Sequence, residues 1–113
     1  MKFMLLMVSG TMPDPNFKPA DVAKIMAQFD KVTSDLKTQG KYVDSNRLQA
    51  ASEATTVRLA ADGQRTVVDG PFTETKEFVG GYYLIECESK AEAIEWAKRF
   101  PMSVEVNGVF QMP

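Results

Sequence analysis

Four ionisable side chains crowd one short stretch of this 113-residue sequence: Asp69, Glu74, Lys76 and Glu77 lie within nine residues of one another. Carboxylates held close together and partly out of water push one another's pKa values apart, which is the condition acid–base chemistry needs. These four are therefore the candidate catalytic residues. The stretch continues to Tyr82-Tyr83, whose side chains must point to opposite faces of a strand, so one hydroxyl can reach a ligand on one face. Ser9 and Thr11, just after the first apolar run, could line the same opening, so Ser9, Tyr82 and Tyr83 are candidate ligand-binding residues. The plain alternative is structural. Asp69 would then bind the amides of Gly70 to Phe72 as a turn residue, and the charges would form a solvated loop whose exposed pairs stabilise by under about 1 kcal/mol.

The backbone around these residues has a definite grammar. Asp69-Gly70-Pro71 cannot continue a strand, because glycine frees φ whereas proline fixes it and removes a ladder donor. Gly80-Gly81 permits close approach or unusual angles just before Tyr82 to Cys87 resumes a sheet. The composition removes many chemistries. With no histidine in the chain, Ser-His-Asp and Cys-His catalysis and imidazole metal sites are excluded. The single cysteine, Cys87, leaves no internal disulfide and reads as a small buried strand residue. Met4, Met7, Met12, Met26 and Met102 read as adaptable packing; no metal and no cofactor is expected. A net charge of −2 gives no basic face for nucleic acid. The apolar run at Phe3 to Val8 is far short of a bilayer span, and a cytoplasmic protein without membrane contact is expected.

Elements that could position the candidates follow from periodicity. Phe3 to Val8 is apolar on both faces and predicts a central strand. A first helix is predicted from Pro19 to a stop at Gly40, with Val22, Ile25, Met26, Phe29, Val32 and Leu36 as its inward stripe. Tyr42 to Leu48 reads as an irregular strand, weakened by Asp44-Ser45-Asn46, and Gln49 to Thr55 as a loop. Thr56 to Ala60 and Arg65 to Val68 form a hairpin around Asp62-Gly63. Ser89-Lys90-Ala91-Glu92 matches a capping box, which places a second helix at about residues 90–100. Its predicted inward residues are Ala93, Ile94, Ala97 and Phe100, with Trp96 near the edge, and Ser103 to Phe110 is a last strand. The order β-α-β, hairpin, β-α-β is a ferredoxin-like split βαβ arrangement: one α+β domain over residues 1–113, with an antiparallel sheet and two helices on one face. Strands apolar on both faces then leave one face uncovered, and the simplest cover is a second copy, giving a homodimer.

Asp69-Gly70-Pro71-Phe72-Thr73-Glu74-Thr75-Lys76-Glu77, followed by Gly80-Gly81-Tyr82-Tyr83-Leu84-Ile85-Glu86, closely resembles the signature of the DGPF-domain proteins of the YCII-related group. Thr73 stands where that signature usually has alanine. Ala91 to Ala97 and Ser103 to Val106 resemble the family's second helix and last strand. The resemblance implies a dimeric α+β barrel. Distant relatives suspected to be enzymes carry a histidine near the first helix and an aspartate after the second; this chain has no histidine, and Phe100-Pro101 stands at the latter place. Two function classes are therefore expected. One is a small-molecule-binding protein or enzyme using the carboxylates at a cleft near the dimer interface. The other is a non-catalytic regulatory module, a reading prompted by the family's association with extracytoplasmic-function sigma factors.

Overall fold

The structure is a computed structural model that describes residues 1–9, 19–49, 51–70 and 78–110. Six strands and two α-helices appear in the order β1 (Lys2–Ser9), α1 (Pro19–Thr38), β2 (Tyr42–Arg47), β3 (Thr55–Leu59), β4 (Arg65–Asp69), β5 (Phe78–Glu86), α2 (Lys90–Ala97) and β6 (Ser103–Gly108), with a short 3-10 turn at Ala51–Glu53. The main sheet has the order β2-β5-β1-β6, every neighbouring pair antiparallel. Two helices and this strand order make an α+β fold of ferredoxin-like type. The apolar first strand lies in the middle, as its pattern requires.

Alternation along β1 decides where the core sits. Phe3, Leu5 and Met7 are buried with Ile85 of β5 and Cys87 just after it against Val32 and Leu36 of α1 and Ala93 and Trp96 of α2. Burying one such side chain stabilises the fold by about 1.5–3 kcal/mol. Helix α1 starts at Pro19 and gives way to Gly40, at φ 70°, as read from the sequence. Its inward stripe is shorter than the periodicity suggested. Phe29, Val32 and Leu36 meet the core, whereas Val22 and Met26 are exposed. The first turns of α1 thus contribute less to the core than their pattern implies.

Helix α2 keeps its capping box: the Ser89 hydroxyl accepts from the Glu92 amide at 3.2 Å, and the Glu92 carboxylate accepts from the Glu88 amide at 2.9 Å. Its inward face is rotated from the expected one. Trp96 is 7% exposed and Ile94 37%. Trp96 is sealed by Arg99, whose guanidinium lies 5.0 Å above the indole ring and pairs with Asp35 of α1. Arg99, in the turn after α2 and held by Asp35 of α1, covers the larger side chain in its buried position, a contact that periodicity does not show.

The hairpin at Asp62-Gly63 forms with Gly63 at φ 87° and Gly63 donating to the Ala60 carbonyl. It does not join the main sheet. β3 and β4 make a separate ribbon, and the molecule extends over 48 × 46 × 18 Å with a radius of gyration of 16.4 Å, against about 13 Å for a compact chain of this size.

Candidate functional site

The sheet face opposite the helices is where chemistry can be reached. The same alternation that buries Phe3, Leu5 and Met7 turns Met4, Leu6 and Val8 to the other side, and Tyr82 and Leu84 of β5 join them there. These side chains are half-buried, and the described strands of the ribbon do not join this sheet. On the β6 side, Glu105 and Asn107 stand opposite Leu6 and Met4 and give the patch a polar margin.

On the β2 side the margin is more specific. The Tyr82 hydroxyl donates to Asp44 Oδ2 at 2.8 Å and accepts from Asn46 Nδ2 at 2.9 Å. A bulge in β2 makes this possible. Tyr42 pairs with Ile85, but the register slips so that Asp44, not Val43, stands opposite Leu84 and Asn46 opposite Tyr82. Without the extra residue Asp44 would face the helices; bulges commonly re-aim a side chain in this way. Asp44 and Asn46 were legible only as residues that weaken a strand. Their polarity was the signal, and the bulge gives it a place. The phenol spends its donor on Asp44 and one lone pair on Asn46, leaving one lone pair and the second Asp44 oxygen as acceptors.

Tyr83 has the opposite fate. Its hydroxyl lies 2.6 Å from Thr33 Oγ1, and its ring stacks on Phe29 at 6.4 Å and meets Phe100 edge-on at 4.8 Å. It ties β5 to α1 inside the molecule. Asp69 ends β4 and is exposed. The turn after it is fixed from β3: the Gly70 amide donates to the Ala54 carbonyl at 2.6 Å, the Gly70 carbonyl accepts from Thr56 Oγ1 at 2.7 Å, and Gly70 sits at φ 105°. Ser9 ends β1 directly opposite Phe78, the first residue of β5. Strand β5 therefore begins at the Ser9 end of β1. Glu74, Lys76 and Glu77, with Thr11, lie outside the described residues.

Gly81 has ordinary φ, unlike Gly40, Gly63 and Gly70. Its constraint is proximity: a Cβ there would stand 2.7 Å from the Asn46 carbonyl oxygen and 3.2 Å from Arg47 Cα. The absent side chain lets β2 close on β5 and holds the Asn46 backbone in place beside Tyr82.

A polar hollow of about 460 Å³ lies elsewhere, lined by residues 39–41 and 86–88 with Met1. Beside it Lys41 pairs with Glu92 at 2.5 Å, which holds the Glu92 carboxyl below its ordinary pKa and raises that of Lys41. Burial pushes the Cys87 thiol up, so it is held as the unreactive thiol. Among the described residues no group of three His, Cys, Asp or Glu side chains could hold a metal ion, and no helix is long and apolar enough to cross a membrane.

Fold and site together describe a small α+β protein whose second sheet face, without a helix among the described residues, carries a hydrogen-bonded tyrosine. The chain belongs to the YCII-related domain family, whose profile matches residues 1–112. It is similar to an uncharacterized protein of Rhizobium meliloti (strain 1021), at 42% identity over 90 residues that span 74% of this chain and 72% of the relative.

Proposed function

We propose that this YCII-related protein is a homodimeric small-molecule-binding protein whose ligand sits between the open sheet faces of two copies, against Tyr82. The observation that carries this reading is the Tyr82 hydroxyl, fixed between Asp44 and Asn46 at the rim of a helix-free apolar patch. A pre-positioned polar group beside an apolar surface is the usual composition of a small-ligand site. The acceptors left free at Tyr82 and Asp44 favour a ligand that donates hydrogen bonds, such as an amine, amide or alcohol, on an apolar body. In this proposal the DGPF-like stretch supplies the polar mouth. Asp69, Glu74, Lys76 and Glu77 would provide acid–base groups at the sheet end where Ser9 faces Phe78, and the reading becomes an enzyme if they converge on the bound molecule.

A thermal-shift screen of the pure protein against small metabolites tests the proposal, because a ligand that binds the native state raises the apparent melting temperature. A hit should lose most of its shift in Tyr82→Phe and Asp44→Asn, with the unliganded melting temperature little changed. A hit that shifts both variants as much as wild type would place the ligand elsewhere.

A further inference from the structure

We propose that the edge of β4 that faces away from β3 pairs with the same edge of a second copy, antiparallel about a two-fold axis through Val67, so that two arms join into one continuous ribbon. The hydrogen-bond pattern of the hairpin defines that edge. Ala60 donates to the Gln64 carbonyl at 2.8 Å and Gly70 to the Ala54 carbonyl at 2.6 Å, marking hydrogen-bonded pairs at the two ends of the ladder. Such pairs alternate with non-bonded ones along an antiparallel ribbon. Thr55–Asp69, Val57–Val67 and Leu59–Arg65 are therefore the non-bonded pairs. The amides and carbonyls of Arg65, Val67 and Asp69 consequently point away from β3, toward an edge that no described strand covers. Unpaired edge groups are a template for another strand, and an isolated two-stranded ribbon is only marginally stable in water.

The sequence of this edge, Arg65-Thr66-Val67-Val68-Asp69, is complementary to itself. With the axis at Val67, Arg65 stands opposite the partner's Asp69, Asp69 opposite the partner's Arg65, and Val67 opposite the partner's Val67. Each outward amide then finds an outward carbonyl. Centring the axis one residue either way, at Thr66 or Val68, still sets outward groups against outward groups but places Arg65 or Asp69 opposite valine and breaks both ion pairs, so the charges select the axis at Val67. Neither charge has a salt bridge among the described residues. The side chains of Arg65, Val67 and Asp69 share a face with Val57 and Leu59, and Val57, Leu59 and Val67 are 54%, 61% and 67% exposed. Pairing makes that face one apolar strip flanked by two ion pairs. A foreign strand could match the backbone, but this strand meets its charge pattern in its own copy. Asp69 thereby gains a role in assembly, and the contact does not depend on the sheet-face dimer proposed above.

The test uses Val67→Cys in the otherwise intact protein and a short thiol-specific bis-maleimide, with wild type as control because Cys87 is buried. Facing residues in such a pair have Cα atoms about 5.5 Å apart, so Val67→Cys should cross-link to a dimer at micromolar chain while wild type does not. Adding Asp69→Arg sets arginine against arginine on both sides and should weaken the cross-link about tenfold. The exchanged variant Arg65→Asp/Asp69→Arg should restore it. Absence of a cross-link beyond wild type overturns the proposal, as does a cross-link indifferent to Asp69→Arg. So does failure of the exchange to restore it when circular dichroism shows both variants folded. Failure of the ligand screen leaves this result untouched.

Discussion

Replacing Gly81 with alanine should destabilise the protein although alanine suits a strand better than glycine. A Cβ at this position would meet the Asn46 carbonyl oxygen at 2.7 Å and Arg47 Cα at 3.2 Å. Both are backbone atoms of β2, so no rotamer change relieves the contact, and the strand must move by several tenths of an ångström. Inserting a methyl group into such a place costs about 1–3 kcal/mol. Against this, losing a glycine restricts the unfolded chain and stabilises by about 0.4–1 kcal/mol where φ is compatible, as it is here. The net expectation is a loss of about 1–2 kcal/mol, or a drop of roughly 5–10 °C in melting temperature for a domain near this size. Gly81→Val should lose more. Gly108→Ala is the control, because its Cβ would meet only Phe3 Cε1 at 3.8 Å, an ordinary contact, so it should be neutral or slightly stabilising. Urea and thermal unfolding followed by circular dichroism measure both. Equal stability for wild type and Gly81→Ala would refute the close-approach reasoning.

Three further outcomes are expected. Leu6→Glu places a charge on the open face and should halve the mass seen by light scattering with the fold intact, whereas Leu5, at 0% exposure, would unfold the protein if charged. Tyr83→Phe removes the hydroxyl bound to Thr33 but keeps the ring packing, so it should cost about 0.5–1.5 kcal/mol in urea unfolding and leave any ligand-induced shift unchanged. The Lys41–Glu92 pair gives stability a pH window: the Glu92 pKa is lowered by Lys41, so its contribution is present above the ordinary 4.5 and is lost as pH falls through the lowered value. The Lys41 pKa is raised by Glu92, so its contribution is present below 10.5 and disappears as pH rises through the raised value. Unfolding of Lys41→Met against pH should therefore depend less on pH at both extremes than that of wild type.

Much of the fold was legible in the sequence because its causes are local. A strand apolar on both faces had to be central, Pro19 and Gly40 bounded a helix, Asp62-Gly63 made a hairpin, and Ser89 with Glu92 capped α2. Each signal rests on backbone preference or on periodicity within one element. What the sequence left open depended on contacts between elements. Strand alternation said that Tyr82 and Tyr83 part company, but only packing on α1 assigns Tyr83 to Thr33 and Tyr82 to the open face. Asp44 and Asn46 read as flaws in a strand, because the bulge that turns Asp44 toward Tyr82 is a property of the β2–β5 register. Gly81 carried no local sign of whether geometry or proximity required it, since the atoms it makes room for belong to β2. Trp96 rather than Ile94 is buried, with Arg99 of the turn after α2 over its ring and held there by Asp35 of α1. The sequence by itself determined the elements and their order, through torsional preference and hydrophobic period. Only the tertiary structure decided which faces and edges stay open, because that depends on where strands from distant parts of the chain come to pair.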